Sequence, residues 1–447
     1  MDPVDSPRGP WNPDRAWADP LIVLLLLIAA VLSAIVLQRR SAPAPSIRVG
    51  IQGRMLELPY AAEGVFAKAA STLVRAGDLA RAAYSLSEPW DRALAGVLAA
   101  ERGDPALGRN LIGEQEPPGP AGAAFRRCWL RAYGGGPAER PQDRPLVRNA
   151  LGNGWAAGLL EARLERGESG PAIPRTTDRM KFRLLVLAFL GLGVVAAGLA
   201  GIAVAIALLV SWRKGPPPVV RGPACSGRAL ILVVLGWYLG LVLSGTLTAP
   251  LFLWIPALRP LALPINVSLH AAWGVLLLKR AQGDAWTVFW RGLWPGGWGR
   301  QVGWGLAHLA LAVPLVLAAS WLARPLTRRF PPPQREMLEF LSGLDGVWAL
   351  LLTALTVAVI APLFEELLFR GAVLPALARR WGWTPAILAS GLLFGVIHLQ
   401  PAGLPTLGAL GVILGAAFRR GGGLLPAILV HSIWNGGVFV FLRTLTS

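Results

Sequence analysis

From residue 184 onward this chain is a succession of apolar runs, and that pattern decides the solvent in which it folds. The runs are 184–212, 229–247 (extending towards 257), 261–278, 302–322, 347–369, 385–399, 406–418 and 425–442. A bilayer core about 30 Å thick takes about 20 helical residues, and a backbone inside it must satisfy its own hydrogen bonds. The sequence therefore predicts an all-α polytopic membrane helix bundle of about eight core transmembrane helices. A further uncharged run, 21–37, follows the acidic, proline-rich start that carries Asp2, Asp5, Asp14 and Asp19, and ends on Arg39-Arg40. A signal peptide has a basic start and a shorter apolar core, so this run reads as an uncleaved N-terminal anchor helix. The runs 385–399 and 406–418 are short for a full crossing and fit shielded positions inside the bundle.

Residues 41–183 differ. They hold most of the carboxylates, are rich in Ala, Arg, Gly and Pro, and read as a soluble helical insert. Short helical patterns lie at 61–76, 78–86, 90–101 and 153–165, and 117–122 and 134–144 read as loops. Two similar turns, 76–82 and 102–108, suggest a helix-hairpin repeat, against the simpler reading of a small domain with similar helix starts. The expected division is 1–40 for tail and anchor, 41–183 for the soluble domain, 184–346 for the first group of membrane helices and 347–447 for the rest. The soluble domain is where a protein partner would bind.

Only 15% of the 447 residues are charged, yet the net charge is +18. The basic residues lie mostly between apolar runs, so they read as anchors for lipid headgroups and topology determinants rather than as a nucleic-acid surface. The basic loops 213–228, 279–300, Arg379-Arg380 and Arg419-Arg420 all fall on one side if the N-terminus is cytoplasmic. The flanks of the anchor argue the other way, and the sum of four loops outweighs one flank. Residues 41–180 then lie outside the cytoplasm. Trp286, Trp290, Trp294 and Trp298, spaced by four, read as a helical aromatic belt in the interface. Cys128 and Cys225 lie far apart in unlike segments and offer neither a disulfide framework nor metal-ligand spacing.

Residues 184–447 contain six carboxylates: Asp284, Glu336, Glu339, Asp345, Glu365 and Glu366. Only Glu365 and Glu366 sit inside an apolar run. A charge at bilayer depth costs about 2.5–3.5 kcal/mol, so two adjacent acids there require a polar environment and point to function. Arg370 follows Glu366 by four and can pair with it on one helix face. Of the four histidines, His398 follows Phe394 by one helical turn and His431 precedes Asn435 by one turn, each pair sharing a face. His270 and His308 have no partner at a suggestive spacing and read as structural. If the three constellations converge, they bring together two carboxylates, two imidazoles, a guanidinium and an amide. That set suits water activation by a general base and stabilisation of an oxyanion. Each element also has a plainer reading, as helix–helix glue or a structural ion pair.

Glu365-Glu366-x-x-x-Arg370, Phe394-x-x-x-His398 and His431-x-x-x-Asn435, in this order on apolar helices, resemble the CPBP family of type II CAAX prenyl endopeptidases and bacteriocin-processing (Abi) enzymes. The flanking Phe369-Arg370-Gly371 and Ser390-Gly391-Leu392-Leu393-Phe394 resemble it too. The resemblance covers about 100 residues, 347–442. It implies an integral, multi-pass intramembrane endopeptidase whose substrate is a peptide or protein in the membrane, of prenylated type. It further implies that Glu365 and His398 activate water, that Glu366 with Arg370 orients the site, that His431 and Asn435 hold the oxyanion, and that Phe394 is structural. A bacterial inner membrane and a site open to the cytoplasm complete the expectation. No cofactor is favoured. A zinc-dependent alternative would use Glu365, His398 and His431, although the His-Glu-x-x-His pattern is absent. The competing readings are a non-catalytic scaffold or immunity-type protein that keeps the family fold, and a transporter with a midplane acidic site, for which no inverted repeat is visible.

Overall fold

In the computed structural model the described residues are Leu26, Ala29 and most of 89–446; residues 1–25, 27–28, 30–88, 102, 115, 137, 152–154, 168–177, 211–221, 328–329, 331–336, 339, 342, 345 and 447 lie outside them. The anchor 21–37, apart from those two positions, the helical patterns at 61–76 and 78–86 and the turn at 76–82 thus fall outside the described residues. Everything described is helix, turn or loop, with no strand among the described residues. Two compact units divide the chain: one of 1–42, 193–333 and 344–439, and one of 43–192, 334–343 and 440–447.

The described residues of the second unit include the short helices α1 (Pro89–Glu101), α2 (Pro105–Glu114), α3 (Gly119–Tyr133), α4 (Asp143–Leu151) and α5 (Trp155–Arg166). The segment 117–122, expected as a loop, instead supplies the first turn of α3. Gly119 takes φ +79° and Pro120 lies in the opening turn, where a missing N–H costs no helical hydrogen bond. At the hairpin between α1 and α2, Gly103 takes φ +91° and Asp104 caps α2 by accepting from the Leu107 N–H at 2.9 Å. Trp90, Leu94, Leu98, Phe125, Trp129, Val147 and Leu160 form the core of this unit. Cys128 lies among them, and burial pushes its thiol up to about 12, so it packs as an apolar residue and has no redox poise.

Asp143 is fully buried. It accepts Arg127 Nε at 2.8 Å and Nη2 at 2.6 Å, and the Arg140 N–H at 2.9 Å. The Arg127 guanidinium holds its carboxyl below the usual carboxylate range. A depressed folded value stabilises the unit above the unfolded value of about 3.9 and is lost as pH falls through the folded one. Hydrogen exchange of α3 and α4 in the full chain is therefore expected to accelerate below about pH 4. Asp143→Asn removes that pH dependence, and an unchanged profile in the variant contradicts the assignment.

The first unit is the membrane bundle. Its helices are α6 (Asp178–Val210, shared with the second unit), α7 (Gly227–Trp254), α8 (Ala262–Gln282), α9 (Trp286–Gly292), α10 (Trp298–Leu322), α11 (Val347–Trp381), α12 (Trp383–Val396), α13 (Leu404–Gly421) and α14 (Leu425–Thr446). Among the described residues seven helices are long and apolar enough to cross a membrane, and α12 is a shorter apolar helix. Within the described residues each of the eight runs expected from residue 184 onward is helical, apart from the turn at 397–399. The run 406–418 gains a turn at each end and spans Pro401–Gly421 with its leading 3-10 turn. The outward faces carry Leu, Ile and Trp side chains (Leu247, Trp254, Leu317, Trp348), as lipid-facing surfaces must. Leu278, Leu368, Phe369, Leu414 and Phe418 are fully enclosed.

The tryptophan stretch is not one helix. Pro295 cannot continue α9, and Gly296 and Gly297 turn the chain at φ +81° and +68° before α10 starts at Trp298. The rings nevertheless stay in contact in series, with centroids 5.9, 5.8 and 6.4 Å apart from Trp286 to Trp298, the outer two pairs stacked and the middle pair tilted.

Helices α12 and α13 approach to backbone contact, which positions the site. A Cβ on Gly411 would lie 2.8 Å from the Gly391 Cα, and one on Gly391 would lie 2.7 Å from the Val412 backbone N. Without a hydrophobic force between membrane helices, such small-residue contacts supply the packing. Gly391→Val or Gly411→Val must force the pair apart. Each is expected to lower the unfolding midpoint in a mixed-micelle titration and to abolish any activity together with stability. Wild-type behaviour of either variant excludes the close packing.

Candidate active site

Helix α11 carries the glutamate pair, and it is not a regular α-helix. Two stretches, Thr356–Ile360 and Leu367–Val373, widen to π register on either side of Ala361–Glu366. In the first, the Ala361 N–H donates to the Thr356 carbonyl, and in the second the Leu374 N–H donates to the Phe369 carbonyl, both spanning five residues. Each widened turn is followed by proline, Pro362 and Pro375. A proline ring clashes with the carbonyl four residues back and offers no N–H, and an extra residue in the preceding turn relieves both problems. In π register the Val357 carbonyl would accept from residue 362, which has no N–H. Asn435 Nδ2 of α14 donates to that carbonyl at 3.2 Å instead.

The second motif pair meets as spaced. Arg370 and Glu366 are both fully buried, and Arg370 Nη1 donates to Glu366 Oε1 at 2.9 Å. Arg370 Nη2 donates to the Gly411 carbonyl of α13 at 2.8 Å, reached because α12 and α13 pack so closely there. The guanidinium also lies 4.8 Å from the Phe394 ring centre and 5.7 Å from that of Phe369, so aromatic faces replace part of its hydration.

His431 joins the two glutamates. Its Nδ1 lies 2.8 Å from Glu366 Oε1, and its Nε2 lies 3.8 Å from Glu365 Oε2. An ionised carboxylate only accepts, so Nδ1 carries the proton of that bond and Nε2 faces Glu365. Glu366 is fully enclosed, whereas the Glu365 side chain keeps 17% of its surface open. The second oxygens of both, Glu365 Oε2 and Glu366 Oε2, are buried and make no hydrogen bond to a described protein group.

His398 departs from the expected placement. Helix α12 ends at Val396, and His398 lies in the turn that follows, beside Leu399 at φ +52°. One turn of separation from Phe394 survives through a side-chain bond, since His398 Nδ1 lies 2.6 Å from the Phe394 carbonyl. A carbonyl cannot donate, so Nδ1 is the protonated nitrogen and Nε2 of the neutral ring keeps its lone pair. Phe394 is the hub: its ring lies 4.9 Å from His398, 5.5 Å from His431 and 5.5 Å from Phe369.

Glu365, Glu366, Arg370, His431, Phe394 and His398 thus border one another. Asn435 lies one turn along α14 from His431, with its amide engaged on Val357. His270 and His308 each turn Nδ1 to the carbonyl one turn back, at 3.0 and 2.8 Å. Sequence reasoning missed the Gly411 and Val357 carbonyls; Pro362 was the one readable signal, for Val357. Among the described residues no three His, Cys, Asp or Glu side chains gather so as to hold a metal ion. His431 Nδ1 bonds Glu366 and His398 Nδ1 bonds a carbonyl, contacts that metal-ligating histidines make as well.

Residues 347–437 match the family described as Type II CAAX prenyl endopeptidase Rce1-like. The resemblance read from the three motifs holds over those residues. An Escherichia coli "Uncharacterized 24.3 kDa protein" is 43% identical over 86 residues, 18% of this chain and 40% of that protein. Rattus norvegicus "CAAX prenyl protease 2" is 40% identical over 77 residues, 17% of this chain and 25% of that protein. The chain therefore spans less than half the length of either relative. No solved structure matches the chain significantly. With the seven long apolar helices, these similarities make it an integral multi-pass membrane protein with a CAAX-protease-like region.

Proposed function

We propose that the region 347–437 is an intramembrane endopeptidase centre that hydrolyses a peptide bond of a membrane-associated, prenylated-type substrate. The observation that carries the proposal is the glutamate pair bridged by His431 at bilayer depth, 2.8 Å from Glu366 and 3.8 Å from Glu365. A structural ion pair needs Glu366 and Arg370 alone; it leaves Glu365, with its partly open side chain, without a purpose.

In this reading Glu365 takes a proton from water as the water oxygen attacks the scissile carbonyl, and His398 Nε2 assists. The Glu366–Arg370 pair holds His431 in one orientation through Nδ1. His431 Nε2, when protonated, and the second N–H of the Asn435 amide donate to the oxyanion. Collapse of the tetrahedral intermediate returns the proton from Glu365 to the leaving amine, so atoms and charge balance. The relative named CAAX prenyl protease 2 supports the substrate class. The basic loops support, by the positive-inside rule, a site open to the cytoplasmic side of a bacterial inner membrane, with the helical unit of 43–192 as the surface for a protein partner.

The test is a comparison of membrane proteomes from a host carrying the wild-type chain and one carrying Glu365→Ala at equal abundance. The expected result is at least one cleavage product present only with the wild type. Identical product sets, with both proteins folded in the membrane, favour a scaffold and sink the proposal.

A further inference from the structure

The tryptophan ladder has features that interface anchoring alone does not require. Anchoring needs indoles at the right depth, not rings that keep contact from one helix to the next. Here the series continues across a helix end and a glycine turn, stacked at Trp286–Trp290 and Trp294–Trp298 and tilted by 56° at Trp290–Trp294. Beside it lies an open groove of about 520 Å³ lined by Trp290, Arg291 and Trp294. Trp290 is 43% exposed. Arg291 is exposed, and among the described residues its side chain makes neither a hydrogen bond nor an ion pair. Trp294 is partly exposed at the same groove, with its indole Nε1 buried.

The surroundings set the sign of the occupant. Lys279 and Arg280 close α8 just before the ladder. Arg300 Nη2 approaches the Gly421 carbonyl at 3.5 Å and the Leu424 N–H donates to the Leu293 carbonyl, so the last turn of α13, with Arg419 and Arg420, reaches this same end of the bundle. Asp284 is the single carboxylate between residues 279 and 300. A cation without a protein partner, aromatic faces for a glycerol backbone and acyl chain, and a basic rim complement an anionic lipid better than a zwitterionic one.

We propose that the Trp290–Arg291–Trp294 groove is a binding site for an anionic glycerophospholipid, with the phosphate on the Arg291 guanidinium and the lipid body along the two indoles. A guanidinium holds phosphate oxygens bidentately, as a lysine would not. The site is separate from the glutamate pair and does not depend on the reaction proposed for it.

The test titrates the purified full-length chain in detergent with phosphatidylglycerol or phosphatidylcholine and counts retained lipid by native mass spectrometry. Phosphatidylglycerol is expected to bind more tightly than phosphatidylcholine. Arg291→Ala is expected to weaken it about fivefold, and Arg291→Glu further, with the melting curve unchanged because the side chain is exposed. Arg259→Ala, in the connection at the other end of α8, is the control and is expected to leave binding intact. Soluble glycerol phosphate is expected not to displace the lipid; displacement would make free phosphate the ligand and overturn the proposal. Equal binding of both lipids, unchanged binding by Arg291→Ala, or an equal loss in Arg259→Ala would each overturn it as well.

Discussion

Glu365→Ala and Glu365→Gln are expected to abolish peptide cleavage, lowering the turnover number by a factor of about 10²–10⁴, the usual contribution of a general base. The bundle is expected to stay folded. Glu365 is the less enclosed of the two acids, and His431 Nε2 lies 3.8 Å from its Oε2. Its removal leaves the shorter contacts among Glu366, Arg370, His431 and Gly411 in place. The measurement is cleavage of a membrane-inserted peptide by the reconstituted full chain, with a melting curve on the same sample. His398→Ala should give the same pair of results, because its Nδ1 is held by the Phe394 carbonyl beside the glutamate pair. Full activity in either variant removes these residues from the mechanism.

Arg370→Leu is expected to produce the largest loss of stability of any single change in the bundle. Glu366 would remain at zero exposure with its charge opposed by the imidazole alone, and the Gly411 carbonyl would lose its donor. Removing one partner of a buried ion pair costs about 3–5 kcal/mol, a large part of the 5–15 kcal/mol that holds a typical protein folded. Arg370→Lys is expected to recover only part of this, since an ammonium cannot reach Glu366 and Gly411 together with a planar fork. The double variant Glu366→Leu/Arg370→Leu separates structure from chemistry. It removes both buried charges, so stability is expected to return towards wild type while His431 loses its Nδ1 acceptor and cleavage does not return. A mixed-micelle unfolding titration reads the stabilities. If Arg370→Leu unfolds like the wild type, the ion pair is not structural.

Much of this arrangement was readable from residue types. A carboxylate pair inside an apolar run announces a site because the bilayer penalises charge, and Arg370 at four residues from Glu366 announces its partner because 3.6 residues make a turn. The same spacing argument was less successful where proline and glycine intervene. His398 was expected on the helix with Phe394, but α12 stops at Val396, and the one-turn relation is kept by a side-chain bond to a carbonyl. The four tryptophans were expected on one helix, but Pro295 and two glycines divide them, and ring contacts rather than helical rise keep them in series. The segment 117–122 was expected as a loop for its prolines and glycines, yet Pro120 is tolerated because it falls in an opening turn.

By itself the sequence determined that the chain from residue 184 is a bundle of membrane helices and which three short motifs carry the polar chemistry. Hydrophobic run length and the cost of charge in lipid depend only on local composition. The tertiary structure decided how those motifs engage. Pro362 and Pro375 widen α11 on either side of the glutamates, and the freed Val357 carbonyl takes the Asn435 amide. Glycine contact between α12 and α13 brings the Gly411 carbonyl to Arg370, and His431 is shared between Glu365 and Glu366. These contacts join residues up to 78 positions apart. Their geometry depends on helix crossings and backbone register, which no spacing within a single run contains.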